Sequence, residues 1–304
     1  MSLKPETTIL AIAYRYFLAV AEAGSIRAAA RNLNVAASAV SRQLLQLEEH
    51  LGAALFDRTG RGLSLSPAGE IMLRGLRAAS QGHEKMLDEL AALKGLKRGL
   101  LRIATVESVS VSILPDLLLS FSRDFPGIEV SVTVAGSDAV TEIVRDHQAD
   151  IGFTFNPASL DGLDVVTSRD LHLGAVMAPD HPLSGAARLS LADCLAFPVA
   201  WPSPGLGLRT ILDTLPAARH VHPAFECDSL RLMASLARHG NCIAFQTPIG
   251  IARELADGSL VWVPLTDKRL PLDRLKVVRR HGASARPAVG AFLDLARREL
   301  PTSF

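Results

Sequence analysis

The sequence predicts an α/β protein with an all-α N-terminal unit carrying a small hairpin, then a long connecting helix and two α/β lobes. Three observations carry this. From about residue 10 to 55, apolar residues recur at helical spacing between short turns. Residues 67–94 then hold one helical pattern without a break. From residue 100 onward, strand-like and helix-like segments alternate, which implies a parallel sheet with right-handed crossovers. A chain of 304 residues is too long for one core in most folds, so two or three domains follow.

Residues 11–23 carry the first helical apolar pattern and stop at Gly24. Ser25 is positioned to cap a short alanine-rich helix over residues 26–33. The run NVAA makes a tight turn, and a longer helix continues to Gly52. The front of that helix, from Val35 to Ser41, is almost all small residues, and its first charge is Arg42. Leu44, Leu45 and Leu47 in its second half are expected to pack it down. In LFDRTGRGLSLSPAGE, two glycines flank Arg61 and Leu63 alternates with Leu65, a hairpin pattern. Ser66-Pro67 ends it and opens the next helix.

Along residues 67–94, small or apolar side chains recur at Met72, Leu76, Ala79, His83, Met86, Leu90 and Leu93. The steps alternate between 4 and 3, which is a heptad seam. So long a helix between two regions needs a partner to bury its seam, so dimerisation is expected. A single amphipathic helix lying on its own domain is the alternative. KGLKRG reads as a hinge at residues 95–99. Strands are expected at 100–106, 128–136 and 149–155, alternating with helices at 110–125 and 137–148. Further strands are read at 172–179, 197–201, 222–227, 242–246, 260–265 and 274–280. Helices are read at 207–215, 229–239 and 287–300. The later strands can cross back to complete the first lobe. The expected domains are 1–66, 67–94, the hinge 95–99, and 100–304. Within the last, lobe 1 spans about 100–170 and 270–304, and lobe 2 about 171–269.

Bulk properties narrow the function classes. The net charge is +1, so any nucleic-acid surface must be a local patch. Cys194, Cys227 and Cys242 form an odd, sparse set without CxxC spacing. That argues for a reducing cytoplasm and against a disulfide framework. The apolar N-terminal run ILAIAYRYFLAV is broken by Arg15, so neither a signal peptide nor a membrane span is expected. There is no GxSxG, P-loop or GxGxxG after a strand, so no enzyme chemistry is indicated. His220 and His222 lie near Cys227, but no fourth ligand or metal spacing accompanies them, so no metal is expected. A cysteine redox switch has equally little behind it.

Several stretches in fixed order carry a resemblance: YFLAVAEAGSI, then SRQLLQLEEHLGAALFDRTGRGLSLSPAGE, then the long helix and two lobes. HGNCIAFQ followed by IARELADGSLVWVPL adds to it near the end. Over essentially its full length the chain resembles a LysR-type transcriptional regulator. The resemblance implies a winged helix-turn-helix, a dimerising linker helix, and a two-lobed regulatory domain like a periplasmic binding protein. It implies double-stranded operator DNA as a partner and a small-molecule effector between the lobes, with no other cofactor. It also implies assembly as a homodimer and homotetramer, with RNA polymerase as a further contact.

For the DNA part, the residues agree independently. A recognition helix needs a slender front to let its backbone approach base edges. Phosphate contacts need cations and helix N-termini. Ser38, Ser41 and Arg42 are the polar candidates, and Ala37 is an apolar contact. Arg27, Arg58 and Arg61 lie in or beside the same unit, with an internal brace as the alternative role for Arg58. The family commonly has Ser-Gln-Pro where this chain has Ala36, Ala37 and Ser38, so the base-reading glutamine amide is missing. Arg27 stands where Thr or Ser is usual.

Ligand sites in α/β lobes lie at the carboxyl ends of parallel strands. The loops TVESVS, AGSDA, FTFNP, WPSPGLG and FQTP answer to that. By resemblance Ser108 and Ser137 fall where effector-binding hydroxyls occur, and plain helix capping is their alternative. Phe153, Phe155, Trp201 and Phe245 are candidates for an apolar wall, with Pro202, Ser203 and Thr247 beside them. Two rivals stand against the regulator reading: a small-molecule receptor module without a direct DNA role, and an enzyme using the interlobe cleft.

Overall fold

The computed structural model describes residues 12–59, 62–93, 99–268, 270–283 and 286–300. Arg61, and the side chains of Arg58 and Leu93, lie outside the described residues. The chain divides into two compact units, Met1–Leu87 and Asp88–Phe304.

In the first unit, α1 (Ile12–Ala23), α2 (Ile26–Leu33) and α3 (Ala37–Leu51) enclose one small core around Phe17, Val20, Val40 and Leu44. Ala29 and Ala30 are buried there, and their small size lets α2 pack closely. The Ser25 hydroxyl accepts from the Ala28 N–H, and Asn34 ends α2 in the left-handed region at φ 55°. The hairpin pairs β1 (Phe56–Thr59) antiparallel with β2 (Gly62–Leu65). It is tied to the helices by the Leu63 N–H donating to the Gly24 carbonyl and by Phe56 packing on Phe17, with ring centroids 5.3 Å apart.

Three contacts explain the run from Glu48 to Gly69. Glu48 Oε1 accepts from the Leu55 N–H at 2.7 Å, fixing the chain after α3. The buried Ser66 hydroxyl donates to the Ala54 carbonyl at 2.6 Å and accepts from the Gly69 N–H at 3.0 Å. It thereby caps α4 (Pro67–Leu93) and locks it to the hairpin. A β-carbon at Gly69 would stand 2.1 Å from the Leu55 carbonyl oxygen, so only glycine allows this approach.

Two expectations are corrected here. Met72 and Leu76, expected in a seam between chains, pack in this unit's own core, because the first turns of α4 close that small core. Leu45 is 56 % exposed: it falls on the opposite face of α3 from Val40, Leu44 and Leu47. Ala79, Met86 and Leu90 are exposed on α4, and His83 is half-buried.

The second unit begins with β3 (Gly99–Thr105), α5 (Glu107–Val111), α6 (Ile113–Asp124), β4 (Ile128–Val134), α7 (Ser137–Arg145), β5 (Ile151–Phe155) and β6 (Leu163–Leu171). A second lobe follows from β7 (Gly174–Met177), α8 (Leu191–Cys194), β8 (Ala200–Pro202), α9 (Gly207–Leu212) and β9 (Phe225–Cys227). It continues through α10 (Leu230–His239), β10 (Ala244–Gln246), α11 (Ala252–Ala256) and β11 (Val261–Pro264). The chain then returns to lobe 1 with β12 (Asp273–Arg280) and α12 (Pro287–Glu299).

Lobe 1 holds a sheet in the order β4-β3-β5-β12-β6. β3 runs parallel to β4 and β5, but β12 is antiparallel to both its neighbours, so the sheet is mixed and not parallel throughout. β6 has no counterpart among the expected strands. It is an edge strand whose LDVVTSRDL carries several polar residues, so it lacks a continuous apolar signal. The expected helix at 110–125 is two helices. Pro115 cannot follow an unbroken turn, because its ring would meet the Val111 carbonyl, and α5 ends at Val111. In lobe 2, β7 pairs antiparallel with β10 and β11, while β8 and β9 pair in parallel. A buried ion pair, Arg286 to Asp150, joins the start of α12 to β3, where the Arg102 N–H donates to the same carboxylate at 2.8 Å.

Candidate nucleic-acid interface and ligand cavity

The interface is built on α3. Val40, Leu44 and Leu47 hold it on the core, leaving Ser38, Arg42, Leu45 and Glu49 in a row on the open side. Ala36 sits at the N-cap and offers no side-chain acceptor, so the first amides of α3 are not capped by its side chain. Uncapped N–H groups at a helix start attract phosphate oxygens. Arg42 stands one turn further on, exposed, and Arg27 is exposed on α2. Ser41 is half-buried. Ala37 is also half-buried and packs against the unit's own core. The exposed face of α3 therefore offers small side chains, one cation and a helix N-terminus.

The second site is a cavity of about 240 Å³ in the second unit, between its lobes. From lobe 1 it is walled by residues at or just after the ends of β3, β4 and β5, namely Val106 to Ser108, Val134 to Ser137, and Phe155. From lobe 2 come Leu206 to Leu208, Asp228, Leu230, Gln246 and Thr247, and Asp273 enters at the start of β12. Strand ends converge here because parallel strands all deliver their following loops to the same edge.

Of the residues expected around an effector, Ser108, Ser137, Phe155 and Thr247 come together in this wall. Phe153, Trp201 and Phe245 do not. Phe153 lies in the core of lobe 1, and Trp201 packs edge-on against Phe245 in the core of lobe 2, with centroids 5.4 Å apart. Phe153 and Phe155 share one face of β5, and only Phe155, at the end of the strand, reaches the cavity. Pro202 and Ser203 are also corrected: the loop they begin reaches the cavity only at Leu206 and Gly207. Ser137 Oγ accepts from the Phe155 N–H at 3.4 Å, and the Ser137 carbonyl accepts from Thr154 Oγ1 at 2.8 Å.

Three polar residues give the cavity its character. Glu107 reaches from lobe 1 to the start of α10 in lobe 2, accepting from Ser229 Oγ at 3.0 Å and the Leu230 N–H at 2.7 Å. Asp273 is buried, its Oδ1 accepting from Asn156 Nδ2 at 3.0 Å. Burial pushes its carboxyl up to about 7. Gln246 is 2 % exposed, and neither its amide oxygen nor its amide nitrogen has a hydrogen-bond partner. Asp273 and Gln246 were not among the sequence candidates. The only signal for either was a glutamine ending the otherwise apolar strand CIAFQ.

The other reactive groups stand apart. The three thiols are buried and free. Burial, reinforced by the carboxylates of Asp193 and Asp267, pushes Cys194 up to about 12. Burial also raises Cys227 and Cys242. Thiols held protonated in this way are poor nucleophiles. Among the described residues, no group of three or more His, Cys, Asp or Glu is gathered as for a metal ion. No helix among them is long and apolar enough to cross a membrane.

Residues 13–70 match the family described as bacterial regulatory helix-turn-helix protein, lysR family. Residues 94–301 match the LysR substrate binding domain. An HTH-type transcriptional regulator of Mycobacterium tuberculosis is 31% identical over 300 residues, covering 93% of each chain. The RuBisCO operon transcriptional regulator of Allochromatium vinosum is 28% identical over 290 residues, covering 94% of each. Among solved structures, full-length OxyR from Pseudomonas aeruginosa superposes with a TM-score of 0.67 at 18% identity, over 94% of this chain and 93% of that one. CbnR in complex with its target DNA gives 0.63 at 22%, over 94% and 98%. These two likenesses concern the fold.

Proposed function

The chain belongs to the LysR family of transcriptional regulators, and from that premise we propose how its own residues divide the work. The exposed front of α3 enters the major groove. Its uncapped N-terminus and Arg42 take phosphates or base edges, Ser38 adds a hydroxyl, and Arg27 with the hairpin arginines Arg58 and Arg61 broadens the electrostatic footprint. The single observation that carries this is the α3 surface: a slender, uncapped helix start with one exposed cation a turn behind it.

The cavity in the second unit is the effector site. Its wall is largely apolar with a few convergent polar side chains, which supports a small-molecule binding site. The exposed part of the α4 seam, Ala79, Met86 and Leu90, supports a homodimer, and regulatory units would pair dimers into a tetramer. The setting is the cytoplasm, with operator DNA and RNA polymerase as partners. Effector binding can alter promoter occupancy only through unequal affinity for the assemblies it interconverts.

Gel shifts at increasing salt test the DNA reading. The wild-type affinity falls steeply with salt, and Arg42→Ala lowers the slope by about 1 if Arg42 neutralises a phosphate. A salt-independent affinity, or none for any DNA beside the gene, would remove the direct DNA role and leave the receptor module.

A further inference from the structure

We propose that the interlobe cavity takes a small amine-bearing cation with an apolar body, and not a carboxylate. The inference rests on reading the cavity as the effector site. Three of its lining residues carry carboxyl groups, Glu107, Asp228 and Asp273, and no Lys, Arg or His lines it. Among the described residues, Asp273 is buried without a cationic partner, its one hydrogen bond coming from the neutral amide of Asn156. Above about pH 7, where its carboxyl ionises, an anion entering beside it meets uncompensated like charge in a desolvated space, whereas an ammonium group supplies the missing counter-charge.

Gln246 is the independent pointer to a ligand. It lines the cavity, is 2 % exposed, and has both amide atoms unpartnered. Buried amides without partners are rare, and a hydrogen-bonding ligand group answers this one. Its Oε1 is a natural acceptor for an N–H donor.

Carboxylates stand at two of the helix starts nearest the cavity. The start of α10 is held by the carboxylate of Glu107. The start of α7 has no side-chain cap, but Asp138 places a carboxylate in its first turn, the Oδ1 accepting from the Ala158 N–H at 2.7 Å. The apolar body would lie against Val106, Val134, Phe155, Leu206, Leu208 and Leu230. A volume of about 240 Å³ admits only a small molecule.

The test uses the full chain and two size-matched probe sets: phenethylamine and pentylamine against 3-phenylpropanoate and hexanoate. Calorimetry and thermal unfolding are read for wild type, Asp273→Asn, and Gly207→Trp, whose indole would fill the cavity. A β-carbon at Gly207 makes only ordinary contacts, the nearest at 3.5 Å, so the backbone there accepts a side chain. Expected are binding of the amines alone, a Tm rise of several degrees at saturation, at least tenfold weaker amine binding in Asp273→Asn, and none in Gly207→Trp. If the acids bind, the amines do not, and Gly207→Trp abolishes acid binding, the ligand class is overturned while the cavity stands. Amine binding that Asp273→Asn leaves within twofold also overturns the class. If nothing binds, or binding ignores Gly207→Trp, the class and the cavity reading fall together.

Discussion

Replacing Glu107 by alanine should loosen the second unit at one definable place. In the native chain its carboxylate spans the lobes and satisfies two groups at the start of α10, the Ser229 hydroxyl and the Leu230 N–H. Hydrogen bonds to a charged group contribute roughly 1.5–3 kcal/mol each before solvent screening, and a carboxylate at a helix N-terminus adds about 0.3–1 kcal/mol. Glu107 is partly exposed, and Ser229 still caps α10 by accepting from the Leu232 N–H at 3.2 Å, which moderates the loss. A net cost of about 2 kcal/mol is then reasonable, or roughly thirtyfold in the local opening equilibrium. Hydrogen exchange read by mass spectrometry on peptides covering residues 229–233 is the assay. Exchange there should accelerate by about that factor in Glu107→Ala, and by less in Glu107→Gln, which keeps one acceptor. Peptides around the Asp150–Arg286 pair should not change. Unchanged protection at the start of α10, or an equal loss across both lobes, would refute the latch.

Three further outcomes follow from other parts of the fold. Gly69→Ala places a β-carbon 2.1 Å from the Leu55 carbonyl oxygen, so the hairpin must shift. The N-terminal unit should lose about 1–3 kcal/mol, seen as an earlier thermal transition together with weakened DNA binding. The Asp273 carboxyl, raised to about 7 in the fold against 3.8 in the unfolded chain, keeps a proton that the unfolded chain has released between those values. Stability must therefore fall as pH rises through that window, by about 4 kcal/mol at most, and Asp273→Asn should flatten the dependence and raise Tm at pH 8 but not at pH 4. Leu90→Glu puts a charge on the exposed seam of α4, where Leu90 is 50 % exposed. Sedimentation velocity should show dissociation toward monomer, with unchanged circular dichroism.

What the sequence disclosed follows the range of the forces involved. The helices of the first unit and the hairpin were legible because apolar spacing, Gly24, Ser25, Gly52 and Ser66-Pro67 are local signals, and the observed bounds differ by only a residue or two. The division of 110–125 into α5 and α6 was legible in principle from Pro115. β6 was not, since an edge strand facing solvent has polar residues at many positions. The cavity was half legible. Its loops could be named from strand ends, but which side chain within a loop faces inward depends on pairing register, so Leu206 and Gly207 line it where Trp201, Pro202 and Ser203 were expected. Asp273 and Gln246 reach the same wall only because β12 crosses back to lobe 1 and β10 pairs with β7.

The recognition helix raises a question that one substitution resolves. Its exposed row, Ser38, Arg42, Leu45 and Glu49, holds a single cation, and an apolar residue stands where many readers of DNA place an amide. Ala37, the position at which the family commonly carries glutamine, is half-buried against the core of the unit. A glutamine there must either displace that packing or turn outward along the first turn. If base identity at this position is read by an outward amide, Ala37→Gln should gain discrimination of about 1–3 kcal/mol for one base pair, without altering the salt slope. The burial of Ala37 favours the opposite outcome: no new base preference and a modest loss of stability. Binding-site selection on randomised duplexes, with wild type and variant side by side, distinguishes the two. An unchanged consensus means that selectivity at this end of α3 comes from groove shape and phosphate spacing, which small residues and an uncapped helix start are suited to sense. A consensus altered at a single base pair would instead show that the first turn faces the bases, and that the packing seen at Ala37 yields on DNA.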